Sequence, residues 1–340
     1  MTTLSEAFRD YAKFENTPLD FNTMHEVPET HQWPIQLDQP LQMIQDTHTL
    51  IPVVDLSDPN AMDVIKQACE TLGMFQVLNH GIPFEMVKKV ESEARRLFGL
   101  SMDEKRKILR SANGVTGYGL FPISSYFDKS MWHEGFTIMD SSVDDDAKVL
   151  WPNDYHQFCD TMHAYQSEVK SLAHKLIVII LQSINATQEE INWATSSQQG
   201  ALLLNSYPPC PKPNSTLGLA PHTDSLLLTI LHLGGVHGLE VFVQGLGWHQ
   251  IQPVEGALLV NLGDLMHIFS NAKFVSPLHR VKVNQLKQRI SFVYFQGPPV
   301  DSVVAPSSAF LNPCFEPMRV KEYLSLKSKN FHDAFSMIRK

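Results

Sequence analysis

Two short motifs in the second half of the chain carry residue types suited to binding ions rather than filling a core. His222-Thr-Asp224 presents an imidazole and a carboxylate two residues apart, and Arg289-Ile-Ser291 presents a guanidinium and a hydroxyl at the same spacing. In an extended strand, residues i and i+2 face one side, so each pair can converge on a single ligand. The first pair reads as the opening of an apolar strand, Leu226-Leu-Leu-Thr-Ile-Leu231. His279 follows Asn261-Leu-Gly-Asp264 on what reads as a strand returning to the same mouth.

Two imidazoles and one carboxylate on one face of a metal suit Fe(II) and leave coordination positions open for other ligands. The Arg289/Ser291 pair can grip a carboxylate through charge-assisted, forked hydrogen bonds. A buried guanidinium is costly without an anion, and a small dicarboxylate that also chelates the metal would supply one. Asn205-Ser-Tyr207 is a third such pair and offers an amide and a phenol to the same ligand. Taken singly, each residue has a commoner structural role, and Asp264 reads as a turn-capping residue. The ordered set of all seven carries the assignment.

These residues need strands to hold them. From about residue 200 the chain consists of short apolar runs divided by Gly, Pro and Asn, among them Ala201-Leu-Leu-Leu, Leu239-Glu-Val-Phe-Val, Ala257-Leu-Leu-Val-Asn-Leu and Ile290-Ser-Phe-Val-Tyr-Phe. Strands at this spacing predict an antiparallel sandwich or jelly roll. Upstream, Ile51-Pro-Val-Val-Asp-Leu and Phe75-Gln-Val-Leu read as strands. Apolar positions recurring every three or four residues predict helices over 62–72, 84–99, 158–179 and 320–339. In the longest, Phe158, Met162, Tyr165, Val169, Leu172, Leu176 and Ile179 form one stripe, the mark of a scaffold helix packed on a core. Residues 1–50 read as an extended or turn-rich arm. The expected organisation is a mixed, largely helical region over 1–197, a jelly-roll domain over 198–300, and a C-terminal segment with a terminal helix over 301–340.

The 340 residues are 43% hydrophobic and 19% charged, an ordinary globular balance. A net charge of −9 argues against a general binder of nucleic acid or anionic membranes. Four dispersed cysteines with no CxxC pair give no zinc-finger or thioredoxin signal and suit a reducing compartment. There is no signal-peptide stretch and no apolar run near the roughly 20 residues of a membrane span. A cytoplasmic protein acting on a small molecule, with no obligate protein partner, is expected.

At these motifs the sequence resembles the plant 2-oxoglutarate-dependent dioxygenases, whose pattern stands here as Asn205-Ser-Tyr-Pro-Pro-Cys210, His222-Thr-Asp224, His279-Arg280 and Arg289-Ile-Ser291. Ile51-Pro-Val-Val-Asp55 and Gly73-Met-Phe-Gln-Val-Leu-Asn-His-Gly81 resemble that family's first segments. Within it, the chain is most similar to gibberellin 3-beta-dioxygenases, through Pro28-Glu-Thr-His-Gln-Trp-Pro34, Gly114-Val-Thr-Gly-Tyr-Gly119, Lys129-Ser-Met-Trp-His-Glu-Gly-Phe136 and Phe335-Ser-Met-Ile338. The resemblance implies a mixed α/β fold, a distorted double-stranded β-helix (jelly roll) core flanked by α-helices. It implies Fe(II) on His222, Asp224 and His279, with 2-oxoglutarate and O2 as co-substrates and ascorbate as reductant. Arg289 and Ser291 would take the far carboxylate of 2-oxoglutarate, with Tyr207 assisting and Asn205 near the chelating end.

The implied reaction is hydroxylation of an unactivated C–H bond, at the 3β position of a gibberellin precursor. Such a rigid, carboxylated ring system needs apolar walls and a few donors. Ile123, Tyr126, Phe127, Phe136 and Phe295 are wall candidates, and Lys129 and His133 are candidate carboxylate partners. His133 stands where the family usually has Ser. Two other readings stay open on the residues alone: a related oxygenase of specialised metabolism or another gibberellin carbon, and a non-catalytic ligand-binding jelly roll. The ligand types also allow a zinc hydrolase, which leaves the Arg289/Ser291 pair unexplained.

Overall fold

Short, largely apolar runs of three to eight residues, cut by glycine and proline, drive the chain into strands that must be covered on both faces. The structure, a computed structural model, describes residues 18–33, 50–110, 116–120, 127–139, 143–197 and 200–340. Its helices are α1 (Ala61–Thr71), α2 (Phe84–Phe98), α3 (Met102–Arg106), α4 (Val143–Leu150), α5 (Tyr155–Gln182), α6 (Gln188–Thr195), α7 (Asp264–Phe269) and α8 (Val320–Asn330). The strands that build the two main sheets are β1 (Val53–Asp55), β2 (Met74–Leu78), β3 (Gly117–Gly119), β4 (Glu134–Ile138), β5 (Gly200–Tyr207), β6 (Leu219–His222), β7 (Leu228–His232), β8 (Leu239–Val243), β9 (Gly247–Gln250), β10 (Leu258–Leu262), β11 (His279–Val281) and β12 (Arg289–Gln296).

Eight strands form a major sheet in the order β1-β2-β10-β7-β12-β5-β4-β3, and four form a minor sheet in the order β6-β11-β8-β9. Only β1 and β2 pair in parallel; the other pairs in these two sheets are antiparallel. The two sheets face each other as a distorted jelly roll. Four strands of the major sheet come from before residue 198, so the N-terminal region contributes strands as well as helices to the core.

The outer face of the major sheet is covered by helices. In α5 the predicted stripe is buried from Phe158 to Leu176, and Ile179 lies at its edge. Tyr165 packs edge-on against Phe292 of β12, with ring centroids 5.2 Å apart. Removing a buried leucine from such a stripe costs about 2–5 kcal/mol, because the cavity does not close. The inner face packs Met74, Tyr207, Leu231 and Leu259 against Leu239, Val241 and Val281 of the minor sheet. The terminal helix ends at Asn330, earlier than predicted. Phe331 turns the chain with φ +32, and a short 3-10 turn follows. The space between the sheets, open at one end, holds the polar residues singled out from the sequence.

Candidate active site

His222 is the last residue of β6, and Asp224 lies in the connection by which the chain leaves the minor sheet for β7 of the major one. The two do not share a strand face, as the sequence spacing predicts. Their side chains converge because the chain turns between sheets at that point. The turn is held by close backbone packing: the Asp264 amide donates to the Asp224 carbonyl at 2.8 Å. A Cβ on Gly263 would lie 2.0 Å from the Leu226 carbonyl oxygen, so this contact requires glycine.

His279 opens β11 and pairs directly with His222 across the ladder. Both imidazole Nε2 atoms lie 3.8 Å from Asp224 Oδ1. One donor atom from each residue falls within 4.8 Å of the others, and all three residues are buried. The remaining ring nitrogens are committed: His222 Nδ1 donates to the Ala220 carbonyl at 2.8 Å, and His279 Nδ1 to the Pro277 carbonyl at 3.0 Å. Each bond fixes the tautomer that leaves an Nε2 lone pair facing the cavity. Burial, and then the neighbouring His279, hold His222 well below the usual histidine range, so it is a neutral ligand. Burial works to raise the Asp224 carboxyl, but the neighbouring His279 and His222, a hydrogen bond with Thr229 and the Lys327 ammonium together outweigh it and hold the group below the usual carboxylate range. Two imidazoles and one carboxylate, buried and aimed at a common point, fit Fe(II).

The adjacent strands carry the anion clamp. Arg289 pairs with Tyr207 and Ser291 with Asn205 in the β12–β5 ladder. Arg289 Nη1 donates to Ser291 Oγ at 3.4 Å, and the guanidinium carbon lies 5.2 Å from the Tyr207 ring centroid. Arg289 is 2% exposed, and its Nε–H has no partner. Burial lowers its affinity for the proton. A desolvated guanidinium without a carboxylate beside it is an anion site awaiting its anion. One cavity is lined by Asn205, Tyr207, His222, Asp224, His279, Arg289 and Ser291, with apolar walls from Leu203, Leu231, Val293 and Phe295.

The substrate-pocket candidates are dispersed. Ile123 and Tyr126 lie outside the described residues. Phe295 lines the cavity. Phe127 packs edge-on between Trp33 and Phe331, each at 5.3 Å. Phe136 is a correction: it points to the helix-covered face of β4, against Phe158 at 6.0 Å, because the cavity face of that strand belongs to Gly135 and Thr137. Lys129 is at the surface, where its ammonium donates to the Glu29 carbonyl at 3.0 Å. His133 is buried with its Nε2 3.0 Å from Asn205 Oδ1. Burial takes its pKa to about 4 despite that bond, so the neutral ring donates and orients the amide.

Asp264 is more than a turn cap. It is buried and accepts hydrogen bonds from Ser276 Oγ and Tyr323 OH, each at 2.7 Å, and from the ammonium of Lys327. Lys327 also donates to the carbonyl and hydroxyl of Thr223, at 2.8 and 2.9 Å. One carboxylate thus ties α8 to the His222–Asp224 turn and to the segment before His279. Asn261 adds a donor to Asp224 Oδ2 at 3.4 Å.

Comparison with known proteins agrees with this geometry. Residues 198–298 match the 2OG-Fe(II) oxygenase superfamily, and residues 51–157 match the non-haem dioxygenase in morphine synthesis N-terminal family. Gibberellin 3-beta-dioxygenase 1 of Pisum sativum is 43% identical over 100% of this chain and 94% of its own length. Gibberellin 3-beta-dioxygenase 1 of Arabidopsis thaliana is 42% identical over 94% of this chain and 92% of its own. Among solved structures, JOX2 in complex with 2OG, Fe and JA superposes with a TM-score of 0.76 at 26% identity, covering 88% of this chain and 89% of that one. The rice dioxygenase for auxin oxidation shares the fold, with a TM-score of 0.70 at 23% identity over 85% of this chain and 100% of that one.

Proposed function

The chain belongs to the 2OG-Fe(II) oxygenase superfamily, and from that premise we propose that it hydroxylates a gibberellin precursor at the 3β position. It is a 2-oxoglutarate-dependent dioxygenase that acts on a small molecule. The observation that carries the chemistry is the single buried cavity shared by three metal-type donors and a guanidinium with no carboxylate of its own. The gibberellin 3-beta-dioxygenase relatives supply the substrate class.

In this reading His222, Asp224 and His279 hold the iron. When bound, Fe(II) supplies the oxidative chemistry: one atom of O2 enters succinate as 2-oxoglutarate loses CO2, and the other enters a C–H bond of the substrate. The protein's own contribution is position. Arg289 and Ser291 grip the far carboxylate of 2-oxoglutarate, with the Tyr207 ring packed against the guanidinium. His133 holds Asn205 by its carbonyl oxygen, which leaves the amide N–H groups to face the cavity. Leu203, Leu231, Val293 and Phe295 keep water from the reacting centre.

The test is incubation of the Fe(II)-loaded protein with ascorbate, O2 and 2-oxoglutarate, adding gibberellin precursors singly. Succinate formed in step with a precursor gaining one oxygen atom, placed at C3 by NMR, is the expected outcome. Succinate with other ring systems but with no gibberellin would overturn the substrate while leaving the chemistry in place.

A further inference from the structure

We propose that Arg110 is the receptor for the carboxylate of the organic substrate. The inference rests on the reading above, in which that substrate is a carboxylated ring system.

Buried cations in this protein divide cleanly. Lys105 is paired with Glu134, Arg280 with Glu240 and Lys327 with Asp264. Among the described residues, two guanidinium groups with a buried, unpartnered Nε–H lack a carboxylate: Arg289, fully buried and assigned to 2-oxoglutarate, and Arg110, which is half-buried as a residue. Arg110 Nη1 donates to the Leu120 carbonyl at 3.1 Å, and Nη2 to Thr137 Oγ1 at 2.8 Å. Its Nε–H is buried with no partner. Five N–H donors meet two neutral acceptors, so the remaining edge can take a carboxylate in a fork. Burial lowers the group to about 10, and no neighbouring anion offsets the loss of water.

The topology puts Arg110 at the far end of the same inner face. Asn205 and Leu203 line the cavity, and their partners across β4 are Gly135 and Thr137. Arg110 is bonded to Thr137, at the Leu203 end, whereas Arg289 pairs with Tyr207 at the other end. The four steps along β5 from Tyr207 to Leu203 span roughly 13 Å, at about 3.3 Å per residue. The two cations therefore stand towards opposite ends of this strand face, Arg289 lining the cavity and Arg110 beyond its Leu203 end, one for each carboxylate-bearing reactant. The other cations near this wall are engaged elsewhere: Lys129 bonds a surface carbonyl, and His133 is neutral and holds Asn205.

The experiment compares ring acids with their methyl esters, gibberellin precursors first, on wild type, Arg110→Gln and Arg110→Lys. The readouts are KM, kcat and the Kd for 2-oxoglutarate. Wild type is expected to favour each acid over its ester. Arg110→Gln should raise KM for the acid by about tenfold or more, towards that of the ester, while the Kd for 2-oxoglutarate is unchanged. Arg110→Lys should recover part of the preference. Two results overturn the assignment: equal KM for acid and ester with wild type, whatever the variants do, or an acid preference that survives in Arg110→Gln. If another ring acid is turned over and gibberellins are not, the substrate reading fails, yet the acid-to-ester ratio on that acid still decides Arg110.

Discussion

His279 stands opposite His222 in the minor-sheet ladder, with ring centroids 4.2 Å apart. Each ring has one nitrogen tied to a backbone carbonyl, which turns the other nitrogen of each towards the cavity. The ladder, not the local loop, thus sets the spacing between these donors. His222→Ala should abolish Fe(II) binding and succinate formation without unfolding the sheet. Metal at about a hundred times its Kd should stabilise the wild type by about 2.7 kcal/mol and the variant not at all. Anaerobic metal titration and thermal melts with and without Fe(II) read both. Asn261→Ala, which removes a donor to the Asp224 carboxylate, should weaken metal binding by about ten- to a hundredfold.

Arg289 gives the second prediction. Its guanidinium is planar, buried and bonded to Ser291, so lysine cannot reproduce the fork although it keeps the charge. Arg289→Lys should raise the Kd for 2-oxoglutarate by about tenfold or more and leave metal affinity near wild type. Equilibrium titration of the Fe(II) protein with 2-oxoglutarate separates the two; an unchanged Kd would remove Arg289 from the clamp.

How far the site was legible depends on whether its geometry is local. Arg289/Ser291 and Asn205/Tyr207 are strand pairs, and i, i+2 spacing places them correctly. His222 and Asp224 have the same spacing, but the chain changes sheets between them, a tertiary event that no local pattern carries. Asp264 draws its partners Tyr323 and Lys327 from 59 and 63 residues away, so its hub is invisible in the turn that contains it. The place of Phe136, by contrast, follows from local alternation. Phe136 and Ile138 alternate with Gly135 and Thr137, and that period already puts both apolar side chains on the helix-covered face. Arg110 left no signal, because the absence of an acidic partner shows only in three dimensions.

The Asp264 hub gives the third prediction. Asp264→Asn leaves the Lys327 ammonium buried without its counter-charge, which should cost about 3–5 kcal/mol in urea unfolding. Replacing both residues together, as Asp264→Asn with Lys327→Met, should recover much of that stability. Metal affinity should stay reduced in the double variant, because Ser276 loses its charged acceptor and Thr223 its ammonium donor. Recovery of stability and metal affinity together would show that the hub does not position the ligands.

The last prediction concerns pH. His133 has its pKa lowered by burial to about 4, against 6.5 in the unfolded chain. Burial lowers His31 and His232 to about 4 as well. Above pH 6.5 all three are neutral in both states, and they contribute no pH dependence. As pH falls from 6.5 towards 4, the unfolded chain takes up protons that the folded protein refuses, so folding loses stability across that window. His133→Gln retains a hydrogen-bond donor for Asn205 but cannot titrate. Its unfolding free energy should therefore fall less steeply than wild type between pH 6.5 and 4, with the two curves parallel above 6.5. Parallel curves throughout would mean that the His133 ring takes up its proton in the fold as readily as in the unfolded chain.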